Sequence, residues 1–234
     1  MNEKRTHIDL FSGIGGFAVA AGWAGYRTVA FCEQDKYCTK VLNRHWPDVP
    51  VIPDIRDFDG SKWRGAGLLT GGFPCQPFSV CGERRGSSDD RALWPEMFRI
   101  IKEARPRWVL GENVAGLINM ALDEVLSQLE SEGYSTGAVV LPACAYGGCP
   151  HRRDRLWFMA HTDQPRLEGH RKFRKRTRKG TAWESVPEHL WDETPSRVLR
   201  MVNGFASWPH RSERIQAIGN SISAPLAHQI LKLL

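Results

Sequence analysis

Asp9-Leu10-Phe11-Ser12-Gly13-Ile14-Gly15-Gly16-Phe17 joins an apolar, strand-like run to a helical one through a glycine-rich turn. Glycines there let the backbone turn tightly and approach a ligand closely, and a helix start offers unpaired N–H groups. Alone, such a turn serves a dinucleotide, a nucleoside, or nothing beyond the bend itself. Short apolar runs at 7–11, 28–31, 68–70, 108–110, 138–141 and 156–161 alternate with amphipathic stretches at 16–24, 36–46, 94–104 and 118–130. Strand and helix alternating at this spacing predict an α/β fold with a doubly wound, mostly parallel, Rossmann-like sheet. Ligands of such sheets bind beyond the strand carboxyl ends, where the crossovers reverse direction.

The rhythm stops after His161. From 162 to 195 the chain is polar, basic and broken by Pro and Gly, with Trp183 and Trp191 among it; this reads as a small inserted module or long loop. Helical character returns at 197–203 and 224–234. With 234 residues there is room for one substantial α/β domain and a small appendage. The expected division is a catalytic and cofactor-binding domain at 1–161 and 198–234, with a basic segment at 162–197.

The formal charge is +6, and Arg171, Lys172, Arg174, Lys175, Arg176, Arg178 and Lys179 concentrate it in one run without an acid. The rest of the chain is nearly neutral. A single basic segment fits a polyanion partner, and its bland alternative is a solvated loop. No apolar run approaches the ~18 residues of a membrane span, and no apolar signal segment follows the N-terminal charges. The expectation is a soluble cytoplasmic protein without membrane contact. Cys32, Cys38, Cys75, Cys81, Cys144 and Cys149 form no CxxC pair and the histidines no HExxH pattern, so no disulfide framework and no metal is expected.

Two acids stand at suggestive places. Glu33, just past the second strand candidate, can accept hydrogen bonds from both hydroxyls of a ribose. Asp54 is placed to meet an exocyclic amino group of adenine. Each has an ordinary alternative, a helix cap or a turn residue. In Gly71-Gly72-Phe73-Pro74-Cys75-Gln76-Pro77-Phe78-Ser79, the flanking prolines stiffen the loop around Cys75, which suits a thiol presented in one position. A lone cysteine is otherwise most often a small buried hydrophobe.

Taken in order, Phe11-Ser12-Gly13-Ile14-Gly15-Gly16, Glu33, Asp54, Pro74-Cys75-Gln76, Glu112-Asn113-Val114, Arg153-Asp154-Arg155 and Gly219-Asn220-Ser221 closely resemble the DNA cytosine-5 methyltransferase family. The resemblance spans nearly the whole chain. It implies an S-adenosylmethionine-dependent methyltransferase fold with a small inserted recognition segment. S-adenosyl-L-methionine would be held by Phe11, Ser12, Gly13, Ile14, Gly15, Gly16, Glu33, Gln34, Asp54, Ile55, Pro74, Asn220 and Ser221. Cys75 would attack carbon 6 of a flipped-out cytosine, making carbon 5 nucleophilic. Glu112 would hydrogen-bond N3 and the 4-amino group, while Arg153 and Arg155 would brace the base and a nearby phosphate.

Residues 80–94, with Gly82 and Gly86, resemble the family's mobile loop over DNA. Gln76, Ser79, Arg84, Arg85 and the basic run are the expected DNA contacts, the run supplying phosphate affinity more than base discrimination. His151 stands where the family usually has glutamine. The implied partner is double-stranded DNA, and the resemblance admits a cognate restriction endonuclease in the same system. A monomer is expected.

Three other readings compete. A tRNA cytosine-5 methyltransferase of the same fold would share the chemistry, but its Cys-Phe-Thr signature is absent. A catalytically idle DNA-binding relative would not need Cys75, Glu112 and Arg155 together. A nicotinamide dehydrogenase accounts for the glycine turn alone and leaves Pro74-Cys75-Gln76 and Glu112-Asn113-Val114 unexplained.

Overall fold

The computed structural model describes residues 5–74, 93–145, 153–162 and 222–233. Seven strands form one sheet: β1 (Thr6–Leu10), β2 (Arg27–Cys32), β3 (Val51–Ile52), β4 (Leu68–Gly71), β5 (Trp108–Val114), β6 (Tyr134–Pro142) and β7 (Asp154–Thr162). Their order is β3-β2-β1-β4-β5-β7-β6. Pairings from β3 through β5 are parallel, whereas β7 runs antiparallel to both β5 and β6. The expected doubly wound, mostly parallel sheet is therefore present, with one reversed strand. Strand order changes direction between β1 and β4, and that is where such sheets bind ligands.

Both faces of the sheet are covered over its central strands β1, β4 and β5, which is what near-continuous apolar strands require. The side chains alternate with period two: Leu69 and Val109 face one layer while Leu68 and Leu110 face the other. The first layer is α3 (Trp94–Ala104) and α4 (Leu122–Ser131), which bury Met97, Ile100, Ile101, Val125 and Leu129. The second is α1 (Gly16–Trp23) and α5 (Ala224–Leu231), which bury Phe17, Ala20, Ala21, Leu226 and Ile230. Helix α2 (Lys36–His45) packs Leu42 against Ala18 and Phe31. Its start is capped by Asp35, whose Oδ1 accepts from the Cys38 N–H at 2.8 Å.

A polar chain crosses the centre of the sheet. Thr70 donates to Asp9 Oδ1 at 2.9 Å and so accepts from His7 Nε2–H at 2.8 Å, which leaves His7 Nδ1 to accept from Thr28 at 2.9 Å. His7, Asp9 and Thr70 are fully buried. Burial alone lowers the His7 pKa to about 3, so the ring is neutral, and it raises that of Asp9 well above the usual carboxylate range.

Three sequence expectations are corrected. The helix expected over 118–130 divides into a 3₁₀ turn, Ala115–Asn119, and α4, because the chain turns at Ala121 (φ −152°). That break buries Leu117 and aims Val125 and Leu129 at the sheet. Strand β5 runs on past 110 through Glu112-Asn113-Val114, since β7 supplies a partner for each of those residues. The two-residue β3 gave no periodic signal, and the sequence reading missed it. The expected helix at 197–203 lies outside the described residues.

Candidate active site

The register of the central strands puts the sequence motifs in one row. Leu10 pairs with both Cys32 and Gly71, and Gly71 pairs with Gly111. The next residue of each strand is Phe11, Glu33, Gly72 or Glu112. Four blocks far apart in sequence thus emerge side by side at the carboxyl edge of the sheet.

The turn after β1 is built from unusual backbone. Phe11 has φ +54°, Gly13 +55° and Gly15 +88°. At Gly15 a Cβ would lie 2.7 Å from the Trp46 ring, so glycine is required by space as well as by φ. At Gly16 a Cβ would lie 2.9 Å from Ile222, which brings the segment following Asn220 and Ser221 against the start of α1. The Ser12 hydroxyl donates to the Asp9 carbonyl at 2.7 Å and fastens the turn to β1.

Glu33 locks this turn to β2. Its Oε2 accepts from the Gly13 N–H at 2.7 Å and its Oε1 from the Asp35 N–H at 2.8 Å. Each oxygen keeps acceptor capacity for a further donor. Burial raises the Glu33 pKa, and the backbone donors partly offset it. An open, shallow pocket lies here, lined by Phe11, Cys32, Glu33, Gln34, Pro53, Asp54, Ile55, Arg56 and Leu93. Asp54 caps the 3₁₀ turn Ile55–Asp57 by accepting from the Arg56 N–H at 2.9 Å.

The pocket suits the adenosine half of S-adenosylmethionine, with carboxylates for a ribose diol and an amino group and apolar walls for a purine. Of the thirteen expected cofactor residues, five line it: Phe11, Glu33, Gln34, Asp54 and Ile55. Gly13 does not line it but donates to Glu33, which does, and Ser12, Gly15 and Gly16 are not among its lining residues. Ile14 and Pro74 are described but do not line it, and Asn220 and Ser221 lie outside the described residues. Cys32, Pro53, Arg56 and Leu93 were missed, having no motif of their own.

On the other side of the strand-order reversal stands Glu112. Because Glu112 pairs with Trp157 in the antiparallel register, Arg155, two residues along, shares its face. Arg155 Nε lies 2.9 Å from Glu112 Oε1, with the side chains 24% and 12% exposed. Burial raises the Glu112 pKa, and the charges of Arg155 and Arg153 pull against that rise. Arg153 is itself lowered by burial and by Arg155. The result is a buried carboxyl held in one orientation by Arg155.

The neighbouring Asn113 is buried and faces the other way. Its Nδ2 donates to the Phe73 carbonyl at 3.0 Å, and its Oδ1 accepts from the Val114 N–H at 2.8 Å. One side chain therefore ties the residue two before Cys75 to the strand carrying Glu112. Nothing in the sequence reading assigned Asn113 this role. Cys75, Gln76, Ser79, Arg84, Arg85, His151 and the basic residues from Arg171 to Lys179 lie outside the described residues, as does 80–92 of the expected loop.

Comparison with known proteins adds to this geometry. A family profile described as C-5 cytosine-specific DNA methylase matches residues 5–198. Type II methyltransferase M.PspPI of Psychrobacter sp. is 38% identical over 156 residues, which cover 64% of this chain and 38% of that protein. Type II methyltransferase M.Eco47II of Escherichia coli is 30% identical over 236 residues, covering 92% of this chain and 57% of that protein. The chain thus spans well under two thirds of either relative. In fold it is similar to the crystal structure of a Spodoptera frugiperda DNMT2 mutant, with a TM-score of 0.68, 16% identity and coverage of 98% and 99%.

Proposed function

Since the chain belongs to the C-5 cytosine-specific DNA methylase family, we propose that it methylates carbon 5 of cytosine in DNA, with S-adenosylmethionine as methyl donor. The observation that carries this is the single row at the sheet edge, with the Glu33 pocket on one side of the strand reversal and the Glu112–Arg155 pair on the other. When bound, S-adenosylmethionine supplies an electrophilic methyl group.

Everything else falls to this chain's residues. The Glu33 carboxylate accepts from the ribose hydroxyls and Asp54 from the adenine amino group. Cys75, as its thiolate, forms a bond from sulfur to carbon 6 of the cytosine, while Glu112 delivers a proton to N3. Carbon 5, now part of an enamine, takes the methyl group. Loss of the carbon 5 proton to a base then breaks the sulfur–carbon 6 bond, and the N3 proton returns to Glu112. Arg155 holds the Glu112 carboxyl in place, and Arg153 and Arg155 together brace the base and its phosphate. The tie from Asn113 to the Phe73 carbonyl limits where Cys75 can be presented.

The basic segment at 162–197 contacts DNA phosphates in this reading, and Gln76, Ser79, Arg84 and Arg85 lie on the DNA side. A cognate restriction endonuclease in the same system belongs to this reading as a companion, and the protein is read as a cytoplasmic monomer. Among the described residues no helix is long and apolar enough to cross a membrane.

Labelled methyl transfer from S-adenosylmethionine to unmethylated DNA and to bulk tRNA, followed by bisulfite sequencing, tests the reading. Label at cytosine in DNA supports it. Label on tRNA alone overturns the substrate, and label on neither overturns the activity.

A further inference from the structure

Arg99 belongs to none of the motif blocks, yet its guanidinium makes four hydrogen bonds. On α3, its Nε donates to Glu96 Oε2 at 2.8 Å and its Nη1 to Glu103 Oε1 at 2.8 Å. Nη1 also donates to the Phe58 carbonyl at 3.0 Å, and Nη2 to the Ile55 carbonyl at 2.9 Å. Glu103 extends the stitch, its Oε2 accepting from the Gly60 N–H at 2.9 Å. A Cβ at Gly60 would lie 2.9 Å from the Ile100 carbonyl, so this loop is pressed directly on the helix.

The ion pairs alone would carry little. Their side chains are 31–32% exposed, and pairs at that exposure contribute modestly. The carbonyl bonds are different, because they fix backbone. Ile55 and Asp54 line the cofactor pocket, and so does Leu93, the residue preceding α3. One planar fork therefore joins the helix that follows Leu93 to the backbone of the pocket's Asp54–Ile55 wall. Lysine could not reproduce it, having a single compact ammonium in place of a rigid five-donor fork.

We infer that Arg99 is a positioning residue for cofactor binding: it holds the Ile55–Phe58 backbone so that Asp54 and Ile55 present a fixed wall to the adenosine. This rests on the proposed function, since it assumes that the pocket takes S-adenosylmethionine. It predicts a loss confined to the cofactor, because Arg99 touches neither Glu112 nor the row beyond the strand reversal.

The test is steady-state kinetics and calorimetric S-adenosylmethionine binding for Arg99→Lys and Arg99→Gln. Glu132→Ala, which breaks the Arg105–Glu132 pair of 2.8 Å away from the pocket, controls for a general loss of stability. The expected result is a rise of about tenfold in Kd and KM for S-adenosylmethionine, with kcat within about twofold and DNA KM unchanged. Glu132→Ala should leave all of these unchanged. If the Arg99 variants fail to fold, Glu103→Gln, which weakens the same stitch, should show a smaller shift in the same direction. Cofactor binding unchanged in folded Arg99 or Glu103 variants, or a fall in kcat alone, overturns the inference. A wild-type protein that binds no S-adenosylmethionine overturns the functional reading and the inference with it.

Discussion

Arg155 Nε stands 2.9 Å from Glu112 Oε1 across the antiparallel β5–β7 pair, and this contact opposes what burial does to the carboxyl. Burial raises the Glu112 pKa, and Arg155 holds it down. Glu112→Gln should lower kcat by about 10²–10⁴. In Arg155→Met the restraint is gone, so the Glu112 pKa should climb further. If the protonated carboxyl is the form that donates to N3, the alkaline limb of the kcat profile then moves to higher pH. Rate–pH profiles of both variants check the direction; an unmoved limb would mean that Glu112 does not titrate in the rate-limiting step.

Glu33 accepts two backbone N–H groups before any ligand arrives. An amide at that position offers one acceptor oxygen and turns an NH₂ toward one of those donors. Glu33→Gln should therefore weaken S-adenosylmethionine binding about 10- to 100-fold, the range for lost hydrogen bonds to a charged acceptor. Isothermal calorimetry measures this directly. DNA affinity in the absence of cofactor should stay close to that of the wild type.

The buried neutral His7 gives stability a pH dependence. Its folded pKa is lowered to about 3 from an ordinary 6.5, so between those values the unfolded chain binds a proton that the folded one refuses. Its contribution is complete above about pH 6.5 and is lost as pH falls toward about 3. The raised pKa of Asp9 acts in the opposite sense, as stability lost when pH rises from 3.8 toward its folded value. Denaturant titrations should show stability rising less with pH, between about 3 and 6.5, in His7→Gln than in the wild type. An identical slope would mean that the His7 ring protonates while folded.

Two of the thiols should be silent. Cys32 and Cys38 are buried, and burial, reinforced by Glu33, pushes both pKa values up to about 12. Alkylation at neutral pH followed by peptide mapping should leave both unmodified in the folded protein and modify both after denaturation. Early labelling of Cys32 would mean that the floor of the cofactor pocket opens.

The sheet was legible because its strands are apolar on both faces and its helices keep a 3.6-residue period; 94–104 matches α3 to the residue. Glu33 and Asp54 could be picked out from their places after a strand and after Pro53. The continuation of β5 through Glu112-Asn113-Val114 was not legible, because it depends on β7, some forty residues later, supplying a partner. The bond from the Ser12 hydroxyl to the Asp9 carbonyl was not legible either. The tying roles of Asn113 and Arg99 were not legible because they depend on backbone carbonyls, Phe73 for one and Ile55 and Phe58 for the other, and a carbonyl leaves no mark on the sequence.

The central claim is that Cys75 bonds to carbon 6 of a cytosine in DNA during methyl transfer. The most direct measurement uses duplex DNA carrying 5-fluorocytosine, in which no proton can leave carbon 5 and the adduct cannot resolve. With S-adenosylmethionine present, the wild-type protein should form a denaturant-resistant, one-to-one complex whose cross-linked peptide contains Cys75, and Cys75→Ser should form none. An adduct mapped to another cysteine, or methylated DNA produced by Cys75→Ser, would contradict the account.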